Sequence, residues 1–386
     1  MRRIYVDHTA TTPLDERVLD AMRPYFVDVF GNASSVHGFG REAKVALERA
    51  RETIAASIGA QAGELFFTSG GTEADNFAIR GAAIAGRKKG KNHMITSAAE
   101  HHAVLEPCRR LSEEGFDVTI VPVDSFGSIA PEEVSNSLTD KTCLVSVIYA
   151  NNEVGTISPI TEIAARVHER GIPVHTDAVQ ALGKIPVDVR ALNVDLMSVS
   201  AHKLYGPKGI GALYVKRGSE IEPILYGGGQ ERGKRPGTEN VPLAVGFAKA
   251  VELAVQEMEH EAQRLLRLRD RLALLIRQAF PAAIINGHPA HHLPHILNVS
   301  FDSTKMNLDG EALVMSMDLE GVAVTSGSAC TSGSMQPSHV LLAMGRDQKT
   351  AKATLRFAFG KCNVEDDVPE LFARLKAVID RMTRAA

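Results

Sequence analysis

The chain has 386 residues, of which 44% are hydrophobic and 23% are charged, and its formal net charge is −3. This composition is that of an ordinary globular protein long enough for two domains, and its charge gives no sign of direct nucleic-acid binding. No apolar run approaches the about 20 residues of a membrane span, and no signal-peptide core follows Met1, so we expect no membrane association.

Short apolar runs alternate with helical patterns over the first 215 residues. The predicted strands are 64–68, 93–96, 117–123, 144–149, 172–180, 194–199 and 211–215. Apolar residues at helical spacing over 41–58 and 160–169 predict two of the helices. The alternation predicts a mostly parallel sheet covered by helices on both faces, which is an α/β fold. Ligands of such sheets bind beyond the carboxyl ends of the strands.

The first of these strands runs into the glycine turn 69–76, which opens a helix. Free backbone N–H groups and the positive end of the helix dipole point to one place there, and the glycines let a phosphate approach closely. Thr72 adds a hydroxyl group, although a plain turn with a Ser/Thr cap is the alternative. The turn is neither a Walker loop nor a dinucleotide fingerprint, because the Gly-Lys-Ser/Thr sequence and the third glycine are missing.

Polar side chains follow the ends of the other strands. They are His101, Asn152, Asp177 and Lys203, and each lies just beyond the end of a strand, as Gly70 does after the first strand. His101 suits proton transfer or stacking on a ring, with helix capping as its alternative role. A lysine desolvated beside other cationic groups loses its proton and forms a Schiff base with a carbonyl, although most lysines before a turn lie at the surface. Convergence of these residues at one sheet edge predicts a ligand site.

The C-terminal half of the chain adds four features. The loop 227–240 is rich in glycine and charge, and loops of this length are often functional. It precedes a helix over 241–279 whose charged C-terminal part could connect to a second domain. Four histidines lie within 288–295, where solvated side chains explain the pattern better than a metal site. Arg356, in a strand predicted over 353–359, could clamp a carboxylate in bidentate fashion.

The four cysteines (Cys108, Cys143, Cys330 and Cys362) form no C-x-x-C pair. This spacing argues against a zinc site or a disulfide framework and for a reducing compartment. Cys330 lies in the small, polar segment 325–337, whereas Cys143 lies in an apolar run. We therefore interpret Cys330 as a candidate reactive thiol.

Taken together, three segments (69–76, 200–209 and 326–330) resemble the cysteine desulfurases of the NifS/IscS type, and the similarity runs from Tyr5 to Arg356. Further agreement lies at 100–101, 151–155, 231–240 and 354–356. The resemblance implies a homodimeric pyridoxal 5'-phosphate enzyme of fold-type I, with a mostly parallel seven-stranded sheet in a large domain. That domain would span 14–260, and a smaller α/β domain, formed by 1–13 and 261–386, would carry the Cys330 loop.

The resemblance also implies a role for each candidate residue. Lys203 carries the cofactor as a Schiff base, Asp177 pairs with the pyridinium nitrogen, and His101 stacks on the ring and handles protons. Gln180 and Asn152 hydrogen-bond the phenolic oxygen of the cofactor or the substrate. The cofactor phosphate is held by Gly71, Thr72, Ser200 and His202, together with the partner subunit's Thr238.

By the same resemblance, the substrate is L-cysteine, whose carboxylate is bound by Arg356 and Asn152. Its sulfur passes to Cys330 as a persulfide, and L-alanine is released. The sulfur then goes to an iron–sulfur scaffold or another sulfur-acceptor protein in the cytoplasm, for cluster assembly or other sulfur transfer.

Three other functions stay open on the sequence alone. A selenocysteine lyase or an aminotransferase would use the same cofactor but would not need Cys330. A non-catalytic protein of the same fold would not need to retain Lys203, Asp177 and His101. A metalloprotein would use the histidines of 288–295.

Overall fold

A computed structural model describes residues 2–327 and 336–385. The strands are β1 (Ile4–Tyr5), β2 (Leu65–Thr68), β3 (His93–Ser97), β4 (Asp117–Val121), β5 (Thr142–Ser146), β6 (Val174–Asp177), β7 (Leu196–Ser200), β8 (Gly211–Val215), β9 (Ala283–Asn286), β10 (Ile296–Phe301), β11 (Val322–Ala323) and β12 (Thr354–Ala358). The helices are α1 (Glu16–Met22), α2 (Pro24–Val27), α3 (Gly38–Ser57), α4 (Gly71–Lys88), α5 (His102–Glu113), α6 (Pro131–Asn136), α7 (Ile160–His168), α8 (Val241–Ala279), α9 (Gly310–Leu319), α10 (His339–Ala343), α11 (Gln348–Lys352) and α12 (Asp367–Ala385). None of the helices within these described ranges combines the length and the apolarity that crossing a membrane requires.

The large sheet has seven strands in the order β2-β8-β7-β6-β5-β3-β4. Strands β4, β3, β5, β6 and β7 pair in parallel, whereas β8 pairs antiparallel with both β2 and β7. The predicted α/β fold with a mostly parallel seven-stranded sheet is therefore confirmed. The parallel strands end at one edge, and the turns that follow them meet there.

Helices bury both faces of this sheet. Successive side chains of each strand point to opposite faces, so neighbouring residues pack in different clusters. Phe67 and Val145 pack in the apolar cluster that includes α3, α7 and α8. The residues before them, Phe66 and Leu144, pack in a second cluster with α4 and α5. A sheet covered on both faces reads as continuous apolar runs, which explains why the sequence shows its strands so clearly.

A separate apolar cluster forms around β9, β10 and β12, an antiparallel sheet in the C-terminal part of the chain. Strand β1 joins this part by pairing in parallel with β11. Helix α8 contributes to both cores, with Phe247 in the first and Leu272 in the second. The domain boundary at residue 260 stays a prediction, since α8 runs through that position unbroken.

Several strands end earlier than predicted, and the structure shows the cause for two of them. Strand β5 ends at Ser146 rather than at 149, because the N–H of Ile148 donates to the Glu100 carboxylate, at 2.9 Å, instead of continuing the ladder toward β3. Strand β6 ends at Asp177 rather than at 180, where Asp177 Oδ1 accepts from Val179 N–H at 2.9 Å.

The prediction of solvated histidines over 288–295 is wrong for His295, which is buried and whose Nδ1 has no hydrogen-bond partner among the described residues. His288 and His292 take part in local hydrogen bonds. His288 Nδ1 accepts from the N–H groups of Ala290 and His291, at 3.1 and 2.8 Å. Within residues 2–327 and 336–385, no group of three or more His, Cys, Asp or Glu side chains is arranged to hold a metal ion.

Candidate active site

A cavity of about 500 Å³ lies beyond the carboxyl ends of the parallel strands, between the large sheet and the C-terminal part. The predicted residues that line it are Gly71, Thr72, His101, Asn152, Asp177, Gln180, Ser200, His202, Lys203 and Arg356. The structure thus brings ten of the twelve predicted site residues to one cavity, and their individual roles stay predictions.

The two other predicted residues stand apart. Thr238 is exposed and is not among the described residues that line the cavity, which agrees with its predicted role in the partner's site without testing that role. Cys330 lies outside the residues that the structure describes.

Lys203 follows β7 in a short turn that aims its amine into the cavity. Nζ donates to the backbone carbonyls of Thr9 and Ala10, at 2.5 and 2.8 Å, so the residues after β1 form one wall of the site. Burial lowers the pKa of Lys203 to about 8, and the Arg356 charge adds to this effect, while Asp177 opposes it. About a tenth of the amine is therefore unprotonated at pH 7, far more than for an ordinary lysine, and this is the form that attacks a carbonyl.

Asp177 ends β6 and is buried at the floor of the cavity. Burial raises the pKa of Asp177, whereas the hydrogen bond from Val179 and the charge of Lys203 oppose the rise. Asp75, on α4, is also fully buried, and both burial and the neighbouring Asp177 charge raise the pKa of Asp75. Two carboxyl groups this close do not both ionise readily, because the negative charge of one disfavours that of the other. A cation placed beside Asp177 would favour the charged form of Asp177 and would itself be stabilised.

The start of α4 forms an anion cradle. A Cβ on Gly71 would lie 2.8 Å from Val179 Cγ2, so only glycine fits without a shift. The Ser200 hydroxyl, on the facing strand end, is buried and has no hydrogen-bond partner among the described residues. Burial lowers the pKa of His202 to about 4, and Lys203 contributes to the decrease, so this ring is neutral at neutral pH. Neutral donors and a helix N-terminus suit a phosphate group.

His101 takes its alternative role as a helix cap, and it also lies at the cavity, where its role in proton transfer or stacking stays a prediction. It caps α5 by accepting from the N–H of Ala103 at Nδ1, at 3.1 Å, and it lines the cavity. Burial lowers the pKa of His101 to about 4, with Lys203 adding to the effect, so the ring is neutral. A neutral imidazole that accepts at Nδ1 carries its proton on Nε2.

Arg356 reaches the cavity from β12, in the smaller sheet. Its guanidinium donates to the carbonyl of Asn152 at 3.0 Å and to Asp7 Oδ1 at 2.9 Å. Burial raises the pKa of Asp7, and the Arg356 charge opposes the rise. These two contacts fix the orientation of the guanidinium before any substrate carboxylate binds, which is the kind of preorganisation that raises affinity.

Several cavity residues are absent from the sequence-based prediction. Asp7, Asp75 and Glu153 line the site, as do His102 and His339. Asp75 and Glu153 each lie within a motif that carries the family resemblance, and Asp7 lies two residues after β1. A carboxylate inside a recognised motif is the signal that could have identified Asp75 and Glu153.

Comparison with known proteins places these features in a family. Residues 4–371 match the aminotransferase class-V family. The chain is 47% identical to the cysteine desulfurase IscS of Dictyoglomus turgidum, over 99% of this chain and 95% of that protein. It is also 47% identical to the human cysteine desulfurase, over 95% of this chain and 80% of that protein.

Solved structures give the same result. A NifS-like protein superposes with a TM-score of 0.91 at 39% identity, covering 98% of this chain and all of that one. The structure described as SspA in complex with cysteine superposes with a TM-score of 0.82 at 36% identity, covering 94% of this chain and all of that one. The chain therefore belongs to the aminotransferase class-V family and, within it, to the cysteine desulfurases of the NifS/IscS type.

Proposed function

We propose that this enzyme takes sulfur from L-cysteine, releases L-alanine and holds the sulfur as a persulfide on Cys330. The observation that carries the proposal is the convergence of Lys203, Asp177 and Arg356 in one cavity. An amine for a carbonyl, a carboxylate for a pyridinium and a guanidinium for a substrate carboxylate are the groups that this reaction needs.

The residues of the cavity fit pyridoxal 5'-phosphate, which is the cofactor of this family. The buried Ser200 hydroxyl lacks a hydrogen-bond partner among the described residues and faces the anion cradle of α4, where a phosphate would provide one. Asp177 and Lys203 supply the groups for the pyridinium nitrogen and the aldehyde. When bound, the cofactor acts as an electron sink that labilises bonds around the substrate Cα and Cβ.

The protein side chains then have separable tasks. Arg356 and the Asn152 region bind the substrate carboxylate and so orient the amino acid. Lys203, with a pKa near 8 before the cofactor is attached, is the group that takes the Cα proton. His101, neutral and protonated at Nε2, would stack on the cofactor ring and hold a proton at Nε2 for transfer. Gln180 lines the cavity beside Asp177 and adds a further hydrogen-bonding amide.

The sulfur step balances without an external oxidant. The Cys330 thiolate attacks the substrate sulfur, a new S–S bond forms as the Cβ–S bond breaks, and the electron pair returns to the substrate carbon. Protonation of that carbon and return of a proton from Lys203 to Cα complete L-alanine, and Cys330 keeps the persulfide. An ordinary thiol, with a pKa of about 8.5, is only a few per cent thiolate at neutral pH, so the site must activate it.

The function is tested by measuring both products. Purified enzyme supplied with L-cysteine and a thiol reductant is expected to release alanine and sulfide in a ratio of about 1:1, because each turnover separates one sulfur from one carbon skeleton. An aminotransferase would instead give a 2-oxo acid, and a β-elimination would give pyruvate and ammonia. Either product in place of alanine would contradict the proposal.

The proposed assembly is a homodimer. Exposed apolar side chains cluster where the chain passes from α2 into α3, with Phe26, Val27, Phe30 and Phe39 exposed by 56, 67, 68 and 58%. The Phe30 and Phe39 ring centroids are 5.6 Å apart. A second copy of the chain is the partner that we propose for this patch, because Thr238 lies outside its own cavity and would complete the partner's site.

Double substitution of the patch (Phe30→Asp with Phe39→Asp) is expected to weaken dimerisation at least about tenfold, since buried aromatic residues carry much of the energy of such interfaces. Sedimentation velocity checks this, with Leu319→Asp as a control at an exposed apolar residue outside the patch. A wild-type monomer, or a double variant that remains dimeric at the same concentration, would refute this interface.

The persulfide is proposed to pass to an iron–sulfur scaffold or another sulfur-acceptor protein in the cytoplasm. The described cysteines support a reducing compartment, since Cys108, Cys143 and Cys362 are all free thiols.

A further inference from the structure

The loop 227–240 is fixed to the edge of the large sheet. Strand β2 is the last strand at that edge, and no other described strand pairs with its outer side. There the Glu231 carboxylate accepts from the N–H of Phe67 at 3.0 Å, and Arg232 donates to the carbonyl of Leu65 at 2.7 Å. Side chains of the loop therefore take the place of the hydrogen bonds that a further strand would make.

The Glu231 carboxylate is held on its other side by Arg51 of α3. Arg51 donates to both carboxylate oxygens, at 2.7 and 2.8 Å, and both side chains are only 3% exposed. Separating two buried charges is costly, so the pair keeps its geometry. Glu231 and Arg232 have φ angles of 46 and 57°, a left-handed conformation that residues other than glycine rarely adopt and that surrounding contacts must maintain. The loop is therefore firmly anchored at these two residues.

A second contact joins the loop to the anion cradle at the start of α4. Arg235 Nε and Nη2 donate to the two carboxylate oxygens of Glu73, at 2.7 and 3.0 Å. Glu73 lies in the first turn of α4, and its Oε2 also accepts from the N–H of Ser69 at 2.7 Å. The Glu73 carboxylate thus connects the loop to the turn that contains Gly71 and Thr72 of the predicted phosphate site.

We propose that Arg235 is a positioning residue for the cofactor phosphate. Its guanidinium holds the Glu73 carboxylate, and Glu73 holds the turn that forms the anion cradle. A cradle that already has its bound conformation binds a ligand more tightly, because less conformational freedom is lost on binding. The inference rests on the proposed function, since it takes pyridoxal 5'-phosphate to be the ligand of this cavity.

The test compares pyridoxal 5'-phosphate with pyridoxal, which lacks the phosphate group, as ligands of the full-length enzyme after removal of its cofactor. In Arg235→Ala, Kd for pyridoxal 5'-phosphate is expected to rise about tenfold while Kd for pyridoxal stays within about twofold, because only the phosphate uses the cradle. A general structural defect would weaken the binding of both ligands. Equal changes in the two Kd values, or no change in either, would overturn the proposal.

Three further variants define the cause. Arg235→Lys keeps the charge but not the two parallel hydrogen bonds, so its Kd for pyridoxal 5'-phosphate should lie between those of wild type and Arg235→Ala. Glu73→Ala removes the pair from the other side and covers the case in which Arg235→Ala does not fold; an unchanged Kd in Glu73→Ala would contradict the proposal. Arg80→Ala is the matched control, because Arg80 also lies on α4 and pairs with Glu114 at 3.0 Å, about 14 Å along the helix from Gly71.

The same loop carries Thr238, which is predicted to act in the partner's site, so a double variant separates the two effects. If Arg235 acts through Glu73 of its own chain, the increases in Kd caused by Arg235→Ala and Thr238→Ala should multiply in the double variant. If Arg235 acts only by placing Thr238, the double variant should bind pyridoxal 5'-phosphate no more weakly than Thr238→Ala does. That result would overturn the proposal.

Amide hydrogen exchange measures the cradle without any bound cofactor. Peptides covering 66–76 are expected to exchange about tenfold faster in Arg235→Ala than in wild type, because local opening governs their exchange, and Arg80→Ala should leave them unchanged. Unchanged exchange over 66–76 in Arg235→Ala would refute the positioning role. If the wild-type enzyme does not bind pyridoxal 5'-phosphate, the proposed function fails, whereas the exchange result still decides whether Arg235 fixes this turn.

Discussion

Lys203→Ala is expected to lower alanine and sulfide release from L-cysteine by at least about 10³-fold, because the variant loses both the covalent attachment of the cofactor and the group that takes the Cα proton. Borohydride reduction followed by mass spectrometry provides a direct measurement, since wild-type Lys203 should retain the mass of the cofactor and the variant should not. Lys305→Ala, at a lysine whose side chain is 63% exposed, is the control. Retained turnover in Lys203→Ala would mean that another residue performs its chemistry.

The pH dependence of cofactor attachment gives a second test of Lys203. Its pKa near 8 lies below the ordinary value for lysine, because burial and Arg356 disfavour the protonated form. The reactive free amine is therefore scarce at pH 6 and predominates above pH 8. The rate at which apo-enzyme acquires visible absorbance should rise through this range and level off above it. A rate that keeps rising to pH 10 would indicate an ordinary, solvated lysine.

Much of the site follows from one rule about parallel sheets. His101, Asn152, Asp177 and Lys203 come from four different strand ends, and the rule that ligands bind at those ends is enough to bring them together. The strands themselves are readable because both faces of the sheet are buried, so their apolar runs are continuous. These residues could therefore be placed without the family resemblance.

Other parts of the site depend on contacts that no spacing encodes. Arg356 comes from a different sheet, and its approach to Asn152 follows from how the C-terminal part packs on the large one. Asp75 lies one helical turn after Gly71, but its burial against Asp177 joins positions about 100 residues apart in the chain. The Glu100 side chain ends β5 by accepting a hydrogen bond from the N–H of Ile148. A prediction made from apolar runs does not take such a side-chain contact into account.

Cys330→Ala is expected to lower sulfide and alanine release at least about 10²-fold while leaving cofactor absorbance intact, because the thiol acts only after the substrate has been bound and activated. L-Cysteine should still perturb the absorbance of the variant, since Lys203 and Arg356 are unchanged. Cys362→Ala is the matched control. It removes an exposed thiol, 3.3 Å from His8 Nε2, that lies outside the cavity lining.

Mass spectrometry after a single turnover locates the sulfur. In wild-type enzyme the peptide that contains Cys330 should gain the mass of one sulfur atom, and the peptide that contains Cys362 should not. Full activity in Cys330→Ala, with sulfide as the first product, would show that the sulfur leaves by elimination. In that case Lys203, Asp177 and Arg356 would retain their roles in binding and proton transfer.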